Sequence, residues 1–202
     1  MTQKEKLTKA TKTRRFIIKE AANLFNQQGY AGTSMQDIMQ ATGLTKGGLY
    51  GNFKSKEEIA LASFEFAVEV VKKEVAKRTH VIENTLDKLK GVVYYYKENL
   101  FSPPVEGGCP ILNTSIEADD NNPVLRGKVI EALDYWQQRI GYTIQIGIER
   151  KEVKPNTDIA EFASLFISIL EGGIMMARIY KDPKYFVSIS KQLLIMIDEI
   201  KL

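Results

Sequence analysis

Residues 33–58 read TSMQDIMQATGLTKGGLYGNFKSKEE, and the rest of the architecture follows from how this stretch folds. Ser34 is placed to N-cap a short helix, and Asp37, three positions on, supplies the carboxylate half of a capping box. Met35, Ile38 and Met39 then face inward at helical spacing. Within Thr42-Gly43-Leu44 the glycine gives the backbone freedom that a helix end needs. Thr45 caps a third short helix running to about Asn52, with Leu49 as its apolar anchor. Two short helices joined by a three-residue turn containing Gly, behind a supporting helix, form a helix-turn-helix. In such a unit the second helix enters the major groove of DNA, and its first residues approach base edges and phosphates. Gly47, Gly48 and Gly51 each cost about 0.5–1 kcal/mol against Ala in a helix interior. A helix kept for stability alone avoids them, whereas missing side chains let the backbone approach a duplex closely. The plainer alternative is a surface turn that tolerates glycine.

Outward from this stretch, Phe16, Ile17, Ala21, Leu24 and Phe25 lie at helical spacing between about Thr11 and Gly29, giving the supporting helix and its glycine stop. Downstream, Ser55-Lys56-Glu57-Glu58 is a second capping-box pattern, opening a long helix to about Arg78. Another helix follows from about Val81 to Leu100. The run from Phe101 to Pro110 is rich in Pro and Gly and breaks the pattern. Asn122-Pro123 starts a long helix to about Arg150. Asn156 or Thr157 caps the next, and Asp182-Pro183 starts the last. No convincing strand and no short-period repeat is present. The expected class is all-α with about nine helices: a helix-turn-helix domain over 1–54 and a larger helical domain over 55–202.

The charge is uneven. Residues 1–60 carry ten Lys or Arg against five Asp or Glu, a net of +5, while residues 61–202 carry eighteen against twenty. A basic surplus confined to one short segment is the footprint of phosphate contacts, with a solvated basic face as the other reading. A content of 44% apolar and 26% charged residues excludes a disordered or collagen-like chain. One cysteine, Cys109, and one histidine, His80, exclude an intrachain disulfide and leave no set of ligands for a Cys-based zinc or iron–sulfur site. No metal and no cofactor are expected. The first residues carry charge and no apolar core, so no secretory signal is expected and the cytoplasm is the default location.

The last two helices are apolar beyond what one face needs. From Phe162 to Ala177 the only charge is Glu171, and Leu193 to Ile197 are five successive apolar residues. A helix apolar all round must be buried all round. The first stretch falls short of the roughly 20 apolar residues of a membrane span and is flanked closely by Asp158, Glu161 and Arg178. A homodimer built on a four-helix bundle is therefore expected, with Phe166, Leu170, Ile174, Ile189, Leu193, Met196 and Ile197 at its interface and no membrane partner.

Residues 33–58, with the helix before them, closely resemble the DNA-binding signature of TetR/AcrR-type transcriptional regulators. That signature has an Asp-Ile pair in the second helix. It continues as Gly-[Val/Leu]-[Ser/Thr]-Lys-Gly-x-[Leu/Ile]-Tyr-x-[His/Tyr]-Phe-x-[Ser/Asn]-Lys-Glu. The resemblance covers about 45 residues and implies a dimer with two N-terminal DNA-binding heads on a ligand-binding and dimerisation body. It places Thr45, Lys46, Gly47, Gly48 and Tyr50 against bases or phosphates, and Gln36 within reach of a base edge. Ser34, Asn52, Lys54 and Lys56 match phosphate-side positions. The chain departs from the pattern at Gly51 and Asn52, where a bulky residue and an aromatic or His are usual; a contact at Gly51 would rest on its backbone N–H.

For an effector, an apolar pocket in the helical body is expected from Phe64, Val93, Tyr96, Cys109, Leu112, Asn113, Ile116, Trp136, Ile140 and Met176, each of which also reads as plain core. The run from Gly107 to Asn113 resembles a Gly-Cys-Pro-Leu segment that, in a subset of these regulators, begins a helix beside the pocket. The expected function is a ligand-responsive repressor, released from a palindromic double-stranded operator by a small apolar or amphipathic effector. The alternatives are a helical dimeric interaction protein without specific DNA binding, a thiol redox sensor acting through Cys109, and an enzyme using Cys109 with His80. The last lacks a recognised motif and a third orienting group, so no enzyme is expected.

Overall fold

Side-chain caps set the helix starts in the computed structural model, which describes residues 8–202. The first seven residues, with Lys4, Glu5 and Lys6 of the N-terminal charge and the start of the expected leaderless segment, lie outside the described residues. Among the described residues nine helices follow one another: α1 (Lys9–Gly32), α2 (Met35–Thr42), α3 (Lys46–Tyr50), α4 (Lys56–Thr79), α5 (Thr85–Glu98), α6 (Pro110–Asn121), α7 (Pro123–Glu149), α8 (Ile159–Tyr180) and α9 (Lys184–Glu199). No strand accompanies them, and the all-α expectation holds. Thr8, Ser34, Thr45, Asn84 and Asp158 each accept a backbone N–H from the first turn that they precede.

Three boundaries differ from the sequence reading. The cap of α8 is Asp158, whose carboxylate accepts from Glu161 N at 2.9 Å; neither Asn156 nor Thr157 takes the role, and the Thr157 hydroxyl donates back to Lys154 O. α5 begins at Thr85 rather than near Val81, which is 71% exposed. At the end of α1, Gly29 has φ +76° and breaks the helix, but a further turn runs on to Gly32.

The chain divides into two compact units. Of the described residues, one holds 8–69 and 105–128, the other 70–104 and 129–202. Packing thus draws the start of α4 and all of α6 to the head, a grouping that a division at 54/55 does not contain. In the first unit Ile17 and Ala21 of α1, Ile38 of α2, Leu49 of α3, Phe53 and Ile59 form one buried apolar cluster. α6 is attached to α1 by polar contacts. Asn26 Nδ2 donates to the carbonyls of Glu106 (2.8 Å) and Gly108 (3.1 Å), and Asn113 Nδ2 donates to Asn26 O (2.9 Å). Gly107 has φ +108°, and a Cβ there would collide with the Asn26 carbonyl. Only glycine admits both the backbone conformation and the close approach.

In the second unit α5, α8 and α9, with Ile140 and Ile144 of α7, surround a core whose centre includes Val93, Phe166, Leu170, Phe186, Leu193 and Ile197. Five of the residues expected at the dimer interface lie inside this core instead: Phe166, Leu170, Leu193 and Ile197 are fully enclosed within their own chain and Ile174 nearly so, whereas Ile189 and Met196 pack against the core but stay partly exposed. Among the apolar side chains that α8 leaves exposed, Leu165, Met175, Met176 and Ile179 form one stripe along the opposite face. α8 is long and apolar enough to cross a membrane by length and composition, yet its inner face is the core of this unit.

Candidate nucleic-acid interface

Ser34 and Asp37 form the reciprocal box expected of them: Asp37 N donates to Ser34 Oγ, and Ser34 N donates to Asp37 Oδ2 at 2.7 Å. The Ser34 hydroxyl also lies 2.6 Å from that carboxylate, and these donors hold the Asp37 carboxyl below its ordinary range. With α2 started here and stopped at Gly43 (φ +66°), the chain enters α3 through Thr45, whose Oγ1 accepts from Gly48 N at 3.2 Å. Ile38 and Leu49 point into the core. By helical periodicity this leaves Gln36, Thr45, Lys46, Gly47 and Tyr50 outward, and all five are exposed.

The two glycines opening α3 have no role inside the chain. A Cβ on Gly47 would meet nothing within 4 Å, one on Gly48 would make ordinary contacts, and neither residue has positive φ. Local packing permits side chains that the sequence withholds, as expected of a helix shaped for close approach by another molecule. Around it, the Lys46 and Lys54 ammonium groups form no ion pair among the described residues, and Lys46 stands 6.0 Å from the Tyr50 ring. Unneutralised cations beside an exposed Gln are suited to phosphates flanking a groove.

Three residues have roles that spacing did not reveal. Lys56 donates its ammonium to Tyr30 O (2.7 Å) and Thr33 O (2.8 Å) and lies 4.2 Å over the Tyr30 ring, so it ties the last turn of α1 and the residue that follows it to α4. At most one of its three protons remains for a phosphate. Asn52 donates from its side-chain amide to Gly48 O at 2.8 Å and closes α3 on itself. Arg14 lies over the Phe53 ring at 3.8 Å, donates to Asn52 O and pairs with Glu58 at 2.8 Å. Glu58 also accepts from Lys54 N at 2.7 Å. That bond and the Arg14 guanidinium lower the Glu58 carboxyl. Arg14 was hidden in the amphipathic pattern of α1; its partners lie 38 and 44 residues away.

The ten pocket candidates are drawn from both units. Phe64, Cys109, Leu112, Asn113 and Ile116 belong to the first unit, and Val93, Tyr96, Trp136, Ile140 and Met176 to the second. Phe64 and Asn113 share a cavity of about 30 Å³ with Phe25, Tyr30 and Glu117. That space is water-sized, far below the roughly 300–1,000 Å³ of ligand pockets. Val93 and Ile140 are enclosed core, and Ile116 is 68% exposed. Tyr96 and Trp136 form a ring pair at 5.9 Å against the core of the second unit. Cys109 is buried at the start of α6. His80 is exposed, with Nδ1 2.9 Å from Lys77 O, so this ring nitrogen is a donor to backbone.

An exposed, glycine-opened helix seated on a capped companion helix and flanked by free lysines defines a helix-turn-helix DNA-binding protein. Comparison with known proteins places it further. The family model for bacterial regulatory proteins of the tetR family matches residues 17–63, and that for the tetracyclin repressor-like C-terminal domain matches residues 85–193. A TetR transcriptional regulator from Chloroflexus aurantiacus J-10-FL is 40% identical, with a TM-score of 0.92 over 96% of this chain and 98% of its own. A TetR-family transcriptional regulator from Cytophaga hutchinsonii is 35% identical, with a TM-score of 0.91 over 98% and 99%. The HTH-type transcriptional repressor DhaR of Mycobacterium sp. (strain GP1) is 24% identical over 176 residues, 85% of each chain. The protein belongs to the TetR family. It is a ligand-responsive DNA-binding transcriptional regulator and not an enzyme.

Proposed function

We propose that the protein is a homodimeric cytoplasmic repressor that binds a palindromic operator through α2 and α3 of each protomer and is released by a small apolar or amphipathic effector. The observation that carries the operator reading is α3 itself, where Gly47 is open to solvent and unexplained by packing. Beside it stand Lys46, Lys54 and Gln36. In this reading the lysines supply salt-dependent affinity to any duplex and Gln36 supplies choice among base edges. Repression is supported by the name of the DhaR relative. The second copy is supported by the exposed stripe Leu165, Met175, Met176 and Ile179 on α8. An apolar or amphipathic effector suits the aromatic pair Tyr96 and Trp136. By linkage, whatever factor the effector takes from operator affinity, the operator takes from effector affinity.

The test is fluorescence anisotropy with labelled DNA from upstream of the protein's own gene, titrated beside random-sequence duplex over a range of salt. A preference for upstream DNA that persists as salt rises supports the reading; equal affinities at every salt concentration would refute it.

A further inference from the structure

We propose that Glu117 of α6 is a positioning residue for operator binding, acting through the linker between α1 and α2 rather than by touching DNA. This rests on the DNA-binding function of the head. The regular run of α1 ends at Gly29, where φ of +76° interrupts the helical hydrogen-bond ladder, and the last turn of α1, with Thr33, then serves as the linker to α2. The N–H groups of Tyr30 and Ala31 start the next turn, where a helix has no acceptors of its own. Both donate to Glu117: Tyr30 N to Oε2 and Ala31 N to Oε1, the latter at 3.4 Å. The carboxylate thus caps a turn 86–87 residues away in sequence. It fits only because Gly29 has no side chain, since a Cβ there would collide with the Glu117 carboxyl group.

The other end of the same linker is held by a cation. Lys56 donates to Tyr30 O and Thr33 O, and the Thr33 hydroxyl donates back to Gly29 O at 2.8 Å. An anion on the donors and a cation on the acceptors fix the backbone from Gly29 to Thr33. The next residue, Ser34, caps α2. Where α2 begins sets where Gln36 points, and α3 follows only three residues after α2. Removing the carboxylate leaves Ser34 and its helix attached to a linker whose part-buried Tyr30 N has lost its acceptor and whose exposed Ala31 N turns to water, so the reading surface is populated in its binding geometry for less of the time. Charge-assisted hydrogen bonds of this kind are typically strong. Their loss is expected to weaken operator binding about tenfold.

The test compares Glu117→Ala and Glu117→Gln in the full-length protein, at a temperature where circular dichroism shows each variant folded. Amide hydrogen exchange is read at Tyr30 and Ala31, and operator affinity is read across a salt series. The expected result for Glu117→Ala is faster exchange at those amides and about tenfold weaker operator binding, with the salt slope of wild type because no phosphate contact is lost. Glu117→Gln keeps one acceptor oxygen, enough for Tyr30 N, but puts an NH2 group where Ala31 N has its acceptor and loses the charge, so it is expected to recover only part of both. Unchanged exchange, or unchanged affinity despite faster exchange, would overturn the proposal. A salt slope lowered by about one would overturn it too, since Glu117 would then be acting through lost phosphate contacts. Failure of wild type to prefer upstream DNA would count against operator reading alone, because the exchange result stands apart from it.

Discussion

Asn52 is bonded to Gly48 across the end of α3, its side-chain amide donating to the Gly48 carbonyl oxygen at 2.8 Å. The residue that the family signature places beside phosphate is therefore also a C-terminal stop for the recognition helix. Asn52→Ala is expected to lower the stability of the head by about 1 kcal/mol, the ordinary value of one such bond. It should weaken operator and random DNA alike without changing the salt slope. A drop in that slope, with thermal melting unchanged, would show that Asn52 meets phosphate directly.

Lys54 and Lys46 are expected to behave differently. Neither ammonium is neutralised by an ion pair among the described residues. Each alanine substitution should weaken binding to every sequence and reduce the slope of log affinity against log salt by about one. Gln36→Ala should instead change the preference among operator variants while leaving random-DNA binding near wild type. Equal loss on specific and random DNA would remove Gln36 from base reading.

Gly47 separates stability from function. Its backbone is regular helix and its Cβ position is empty, so Gly47→Ala should raise the stability of the head by about 0.5–1 kcal/mol. The same methyl group would stand between α3 and the duplex, and operator affinity should fall. Calorimetric melting and anisotropy on one sample settle it; a variant both more stable and fully active would mean that the glycine has no part in approach to DNA.

What was legible in the sequence was what is local. Ser34 with Asp37, Thr45 before α3 and Gly43 after α2 each signal their role within four residues, and the helix-turn-helix follows from them. Arg14 over Phe53, Asn26 with Asn113, and Glu117 beneath Gly29 connect residues separated by 39 to 88 positions, and no periodicity carries that information. The facing of α8 was hidden for another reason. Between Phe162 and Ala177 apolar residues occur on every side of the helix, so the pattern shows that two faces are covered but not which face meets the chain's own core.

The facing of α8 can be checked directly. Met175→Glu and Ile179→Glu alter exposed positions, so these variants should keep their far-ultraviolet dichroism while light scattering shows loss of the dimer. Leu170→Ala, wholly enclosed, should instead cost about 2–5 kcal/mol of folding stability. Dimers persisting in both glutamate variants would move the interface elsewhere.

The head should also weaken in acid, and Glu58 should account for part of it. Donation from Lys54 N and Arg14 lowers its carboxyl in the folded protein, while in the unfolded chain it titrates near the ordinary value of about 4.3. Between those two values the unfolded chain binds more protons, so stability rises with pH. The contribution is therefore complete above about pH 4.3 and is lost as pH falls through the lowered folded value. Asp37 acts in the same direction through its bonds to Ser34. Glu58→Gln should lower the melting temperature at neutral pH and flatten its fall between about pH 5 and 3, leaving the share due to Asp37. An acid slope as steep as that of wild type would show that the Arg14, Lys54 and Glu58 cluster does not stabilise the folded head.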